Sequence, residues 1–277
     1  MTRIVPEGIL LINLGSPDEP RTPEVRRYLR EFLMDGRVID IPGIARWLLV
    51  NGIIAPFRAP RSAAAYRRIW SGRGSPLITY SQDLADGLGR LLEEQSPGRY
   101  VVRLAMRYGR PSIRQRLEEF QQQGIQKIKV MPLYPQYATA SAGSSIEKVL
   151  AEARRFWNPP ELEFIPAFYG HPAYLDTLGT QAAASLDEAQ KRGKYRFDHV
   201  LFSFHGIPER HIKKGSIHSY CQINDGCCAA IGPENQACYR AHCYATAREL
   251  ANRMGLSADG WSVSFQSRLG RDPWLRP

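Results

Sequence analysis

The stretch FDHVLFSFHG, from Phe197 to Gly206, ends an apolar run on a histidine and a glycine. If the run is a strand, the His205 imidazole should stand at the mouth of a sheet. There it can take a proton near neutral pH or ligate a transition metal, since the ordinary imidazole pKa is about 6.5. A histidine merely bonded to local backbone is the competing reading. His199 lies too early in the run and reads as structural, while His211, His218 and His242 read as loop residues.

The second concentration of chemistry is CQINDGCCAAIGPENQACYRAHC, Cys221 to Cys243, which holds every cysteine of the chain in the pattern C-x5-CC-x9-C-x4-C. It contains no C-x2-C pair, so a zinc ribbon is not indicated. Four thiolates are enough for a 2Fe–2S centre. Zinc and a disulfide pairing stay open beside it, the latter disfavoured in a reducing compartment.

The elements that would position these groups alternate in type. Runs at Gly8–Leu14, Tyr100–Met106, Gln126–Pro132, Leu162–Pro166, Phe197–Phe204 and Trp261–Ser267 read as strands, and the continuous apolar run Gly8–Leu14 suits burial on both faces. Between them, helices are expected after Thr22-Pro23-Glu24 with Thr22 as cap, around Ser81–Glu94, at Ser112–Gln122, and at Pro172–Gln190. Another should begin at Ser144, where Ser144-Ser145-Ile146-Glu147 has capping-box spacing. Such alternation predicts an α/β fold with mainly parallel sheets. The segment Ile41–Pro60 is apolar, interrupted by Pro42, Gly43, Gly52 and Pro56, and fringed by Arg46, Arg58 and Arg61. It reads either as two short core helices or as an apolar lip over a pocket or membrane surface.

Open α/β sheets bind ligands beyond the carboxyl ends of their strands. Those positions hold Leu14, Arg107, Tyr108, Tyr134, Tyr137, His205 and Arg268. Neither a GxGxxG fingerprint nor a Walker lysine is present, which disfavours nucleotides. The set suits a large, flat, apolar ligand with an acidic fringe.

Lysine and arginine outnumber aspartate and glutamate by 37 to 27, a formal charge of +10. The basic residues are scattered, with no zinc-finger spacing, RNP motif or Lys/Arg block, so nucleic acid is not an expected partner. No apolar window reaches about 18 residues, and the N-terminus lacks a signal-peptide core. A cytoplasmic protein is expected, with residues 41–60 as a candidate peripheral membrane contact.

Five stretches, LLINLGSP, MRYGRPSI, PLYPQYATASAGSS, LFSFHGIPER and SFQSRLGRDPWLRP, together resemble the ferrochelatase family. The resemblance runs over nearly the whole chain. It implies two Rossmann-like, chelatase-type lobes of parallel sheet flanked by helices, enclosing a porphyrin cleft, and insertion of Fe2+ into protoporphyrin IX. The first lobe would take residues 1–165 with the lip at 41–60. The second would take 166–277 with the Cys-rich insertion at 221–243. On this resemblance His205 is the active-site histidine, abstracting pyrrole protons or handling metal. Arg107 and Tyr108 line the cleft, Leu14 faces the macrocycle, Arg46 belongs to the lip, and Tyr66 and Ser75 meet the substrate rim. Arg46 or Arg107 would pair with the propionates. Some members carry 2Fe–2S clusters, which implies Cys221, Cys228, Cys238 and Cys243 as ligands, with Cys227 as the alternative to Cys228. The family's catalytic Glu lies beyond the PWL segment. Its absence here, with the last strand uncovered, leads to the expectation of an incomplete second lobe. Another tetrapyrrole chelatase, for cobalt, nickel or coproporphyrin, and a non-catalytic haem or Fe–S module are the competing functions.

Overall fold

The computed structural model describes residues 5–193, 197–224, 226–268, 270 and 272–276. The chain divides into two units. One runs to Tyr134 and resumes at Thr139–Pro166; the other takes Pro135–Ala138 and begins again at Ala167.

In the first unit, four strands form one parallel sheet: β1 (Glu7–Asn13), β2 (Tyr100–Met106), β3 (Lys127–Pro132) and β4 (Glu161–Phe164), in the order β2-β1-β3-β4. The continuous apolar run of β1 has a direct cause. Leu10 and Ile12 pack on one face with Ile113, Leu117, Phe120 and Val149, while Leu11 packs on the other with Ala85 and Leu104. A strand covered on both faces cannot alternate.

Helices α1 (Thr22–Leu33) and α3 (Ala55–Ile69), with α2 (Gly43–Leu48) between them in sequence, belong to a second cluster of the same unit. Helix α4 (Pro76–Gln95) covers one face of the sheet, and α5 (Ile113–Gln122) and α6 (Ser144–Ala153) cover the other. Several boundaries correct the sequence reading. Arg21, not Thr22, is the N-cap of α1, with no side-chain cap; Pro23 fixes the first turn instead. Helix α4 starts at Pro76, a turn before the expected Ser81, again with proline in its first turn.

The Ile41–Pro60 segment is neither broken nor a pair of core helices. A π-turn at Leu49–Ile54 joins α2 to α3, so residues 43–69 run as one helical stretch. The widened turn falls where Pro56 would leave the Gly52 carbonyl without its donor. One side is buried, with Ala55 inaccessible and Val50, Ala59 and Ala63 against Val25, Leu29 and Leu33 of α1. The other is exposed and apolar, from Ile44 (81%) through Trp47, Leu48 and Ile53 to Phe57 (75%).

The capping box at Ser144 does not form. A π-turn at Thr139–Gly143 leads straight into α6, so Ser144 is already interior to the helical run and its hydroxyl serves elsewhere.

The second unit has helix α7 (Pro172–Gly193) and a parallel pair of strands, β5 (Val200–His205) and β6 (Trp261–Gln266), in register from Val200↔Trp261 to His205↔Gln266. Helix α8 (Glu209–Lys214) follows β5, and α9 (Tyr239–Arg253) follows the Cys-rich loop. Phe202, Phe204, Val263 and Phe265 meet Cys243 and Ala247 of α9 in its core. Here the strand does alternate: Leu201, Ser203 and His205 face outward. The segment Pro135–Ala138 is tied to α9, Gln136 Nε2 donating to Thr246 Oγ1 at 3.0 Å and the Tyr137 amide to His242 Nδ1 at 3.1 Å.

Candidate active site

The register of the first sheet aligns its carboxyl ends. Asn13 pairs with Met106 and Ile12 with Pro132, and the ladder continues past the strands as Arg107 N donates to Asn13 O (2.7 Å) and Tyr108 N to Leu14 O (2.9 Å). Leu14, Arg107 and Tyr108 therefore share one edge. Gly15 makes this possible. Its φ is +107°, and a Cβ there would lie 1.8 Å from the Tyr108 carbonyl oxygen, so no other residue fits.

At this edge the buried Asp35 carboxylate gathers donors from its own loop, from the end of β2 and from the start of α6. Oδ2 accepts from Arg107 Nη2 (2.6 Å), Tyr108 OH (2.8 Å) and Ser144 Oγ (2.5 Å), and Oδ1 accepts from the Arg37 amide (2.7 Å). Arg107 Nε in turn donates to Ser144 Oγ at 2.6 Å. Burial alone would raise the Asp35 pKa. The Ser144, Arg37 and Tyr108 hydrogen bonds and the Arg107 charge outweigh it and hold the carboxyl below its ordinary range. Tyr108 is shifted upward, by burial above all. Its side chain is fully buried (0%) with the Arg107 guanidinium over its ring at 4.4 Å, so Tyr108 backs Arg107.

The remaining expected residues of this unit occupy separate places. Leu14 is half-buried at the β1 terminus. Tyr66, on α3, stands edge-on to Tyr28 and Trp70 at centroid distances of 6.4 and 6.3 Å. Ser75 is buried at the N-cap of α4. Arg46 Nη1 donates to the carbonyls of Ile39 (3.0 Å) and Ile41 (3.2 Å). That guanidinium stitches the loop before α2, a use the sequence did not suggest.

In the second unit, His205 is exposed at the carboxyl end of β5, its Nδ1 2.6 Å from the Gly206 carbonyl oxygen. A carbonyl only accepts, so Nδ1 carries the hydrogen and Nε2 holds the lone pair. The His205 carbonyl is fixed by the Tyr239 hydroxyl at 2.8 Å. His199 bonds Ser262 Oγ at 2.9 Å, in keeping with a structural role. His211 and His242 are not loop residues: both are buried on helices, and His242 stacks on Tyr169 at 3.7 Å.

All five cysteines are free thiols. Four form a connected group: Cys221 hydrogen-bonds with Cys227, the Cys227 and Cys228 sulfurs are 3.9 Å apart, and Cys228 bonds with Cys238. Cys238, capping α9, is brought down to about 6, first by Cys228 and then by the first turn of α9 and Arg240. Cys243 differs. It is fully buried in the core, bonded to Tyr239, and pushed upward by burial. Among the described residues, no three His, Cys, Asp or Glu donors converge as around a single ion; the thiols meet in pairs.

A family model described as Ferrochelatase matches residues 6–277. The chain belongs to the ferrochelatase family. It is 42% identical over 271 residues to the ferrochelatase of Coxiella burnetii (strain CbuK_Q154), covering 98% of this chain and 72% of that one. To the ferrochelatase of Legionella pneumophila (strain Corby) it is 43% identical over 270 residues, covering 98% and 76%. The α/β fold with parallel sheets is that expected of a ferrochelatase. Two members of this site edge, Asp35 and Ser144, escaped sequence reasoning. Asp35 sits in MDGRV, which reads as a turn, and Ser144 looked like a cap.

Proposed function

We propose that this chain inserts Fe2+ into protoporphyrin IX, forming protohaem and completing haem synthesis, a lyase reaction that makes nitrogen–metal bonds. The observation that carries the reading is the ferrochelatase match across residues 6–277, joined to an exposed imidazole with a free Nε2 lone pair. Insertion requires that the two pyrrole N–H protons leave and that Fe2+ shed water. His205 Nε2 is the acceptor for a pyrrole proton, or the transient ligand for the incoming iron. Its Nδ1–H bond to Gly206 fixes ring and tautomer together, so no reorientation precedes proton transfer. Leu14 offers apolar contact for a macrocycle, and Arg107 a guanidinium for its carboxylates. Tyr66 and Ser75 are the assignments for the porphyrin rim. Arg46 we assign to shaping the lip through its bonds to Ile39 and Ile41. An anaerobic assay with protoporphyrin and Fe2+, following the Soret band, tests the function. No spectral conversion by the purified chain would overturn it, and porphyrin binding without insertion would favour a non-catalytic module.

We also infer a 2Fe–2S cofactor held by the paired thiols. Such a centre takes two thiolates at each iron, and the donor set supports Cys221, Cys227, Cys228 and Cys238. Cys227 thus joins Cys228 where the sequence treated them as alternatives, and Cys243 leaves the set for the core. When bound, the cluster supplies one-electron redox chemistry and a brace for the loop.

The exposed row Ile44, Trp47, Leu48, Ile53 and Phe57, beside exposed Arg58 and Arg61, supports peripheral contact with an anionic membrane by a cytoplasmic protein. Among the described residues, no helix is long and apolar enough to cross a membrane.

A further inference from the structure

We propose that Asp35 is a positioning residue for porphyrin binding: it holds the Arg107 guanidinium so that Nη1 is the donor presented to an anionic substituent of the macrocycle. The inference rests on the ferrochelatase reading above and names a residue and a division of labour that the reading does not contain.

The guanidinium has three nitrogens, and the structure commits two of them. Nη2 donates to Asp35 Oδ2 at 2.6 Å, and Nε to Ser144 Oγ at 2.6 Å and Ser144 O at 3.1 Å. Nη1 has no partner among the described residues. The Arg107 side chain keeps 13% exposure while that of Asp35 keeps 5%, so the carboxylate lies behind the cation. Asp35 itself cannot swing away. Its backbone carbonyl accepts from the Val38 and Ile39 amides at 3.1 and 3.0 Å, and Oδ1 from the Arg37 amide at 2.7 Å. Arg37 then pins the loop from outside, through Glu147 at 2.5 Å and Thr139 Oγ1 at 2.9 Å.

A long arginine side chain left to itself loses rotamer freedom when a ligand fixes it, and that loss subtracts from affinity. Here the loss has been met in the folding of the protein. A fork held by a carboxylate on one edge and a hydroxyl on another offers a directed hydrogen bond, not a diffuse charge. The effect belongs to ground-state recognition of the substrate rim, because no pyrrole nitrogen or iron is involved.

Steady-state kinetics in both substrates test this. Asp35→Asn should raise the porphyrin KM about tenfold, with kcat and the Fe2+ KM much less affected. Arg107→Ala should do the same, and the double variant should be no worse than Arg107→Ala alone, since both changes remove one interaction. Ser144→Ala, which takes away a hydroxyl shared by both residues, should raise the porphyrin KM about threefold. It serves as the reading if Asp35→Asn melts too low to assay. A porphyrin KM within twofold of wild type in Asp35→Asn, additive losses in the double variant, or an equal fall in turnover with both substrates would overturn the proposal. A wild-type chain that neither inserts iron nor quenches porphyrin fluorescence would instead overturn the functional reading beneath it, and this proposal with it.

Discussion

The Nδ1 atom of His205 lies 2.6 Å from the carbonyl oxygen of the next residue, Gly206. That contact decides which nitrogen keeps the lone pair, and crowding around the next residue explains why glycine follows. A Cβ at position 206 would meet the Ser267 and Gln266 carbonyls at 3.0 and 3.2 Å, so the backbone there would have to give by a few tenths of an ångström. His205→Ala should lower metal insertion at least about 100-fold, the usual scale for a lost proton acceptor. Porphyrin affinity, read by fluorescence quenching, should stay within about threefold. Near-normal turnover in this variant would falsify the assignment.

The thiol group makes a separable prediction. Cys228→Ser should purify without the visible absorbance, iron or acid-labile sulfide of a 2Fe–2S centre. Cys243→Ser should keep all three. Loss of the cluster from Cys243→Ser, with retention in Cys227→Ser, would return the ligand set to the one the family resemblance implies.

His242 makes stability depend on pH. Burial first of all pulls its pKa down from the ordinary value, so the folded protein holds the ring neutral. Below about pH 6.5 the unfolded chain binds a proton that the folded one refuses, and stability therefore falls as pH drops through that window. The slope contributed is at most about 1.4 kcal/mol per pH unit. As pH is lowered from 7.5 to 5, urea midpoints should fall more steeply for wild type than for His242→Gln. Parallel curves would exclude this histidine as the cause.

The apolar row on α2 and α3 should govern vesicle binding. Trp47→Asp or Phe57→Asp should weaken co-sedimentation with anionic vesicles about tenfold, corresponding to roughly 1.4 kcal/mol. Melting temperature should barely move, because both side chains are mostly exposed. Unchanged partitioning would remove the membrane from the list of partners.

The strands were the most legible part of the chain. GILLI is apolar throughout because helices cover both faces of its sheet, whereas KIKVMP alternates, with Ile128 and Val130 in the core and Lys127 and Lys129 partly exposed among carboxylates. Helix termini were less legible, since Pro56 and Gly52 look like breaks until a π-turn absorbs them. His205 could be found because its strand and glycine sit beside it. Asp35 could not: its partners Arg107 and Ser144 are 72 and 109 residues away, and only the folded sheet edge brings them together. His242 was hidden by the cysteines around it, although YRAHCYATARELANR is rich in good helix formers.

Helix α9 carries Cys238 at its cap, Tyr239 reaching the His205 carbonyl, and His242 reaching the Tyr137 amide. These attachments leave one rod in three directions fixed by helical pitch. Adding or deleting a residue within the first turn would rotate everything after it by about 100°, so the three contacts could not be kept together. The loop before Cys238 faces no such demand on its length. Length variation in this insertion should therefore gather on the amino-terminal side of α9, and the helix itself should behave as a part that can be replaced but not resized.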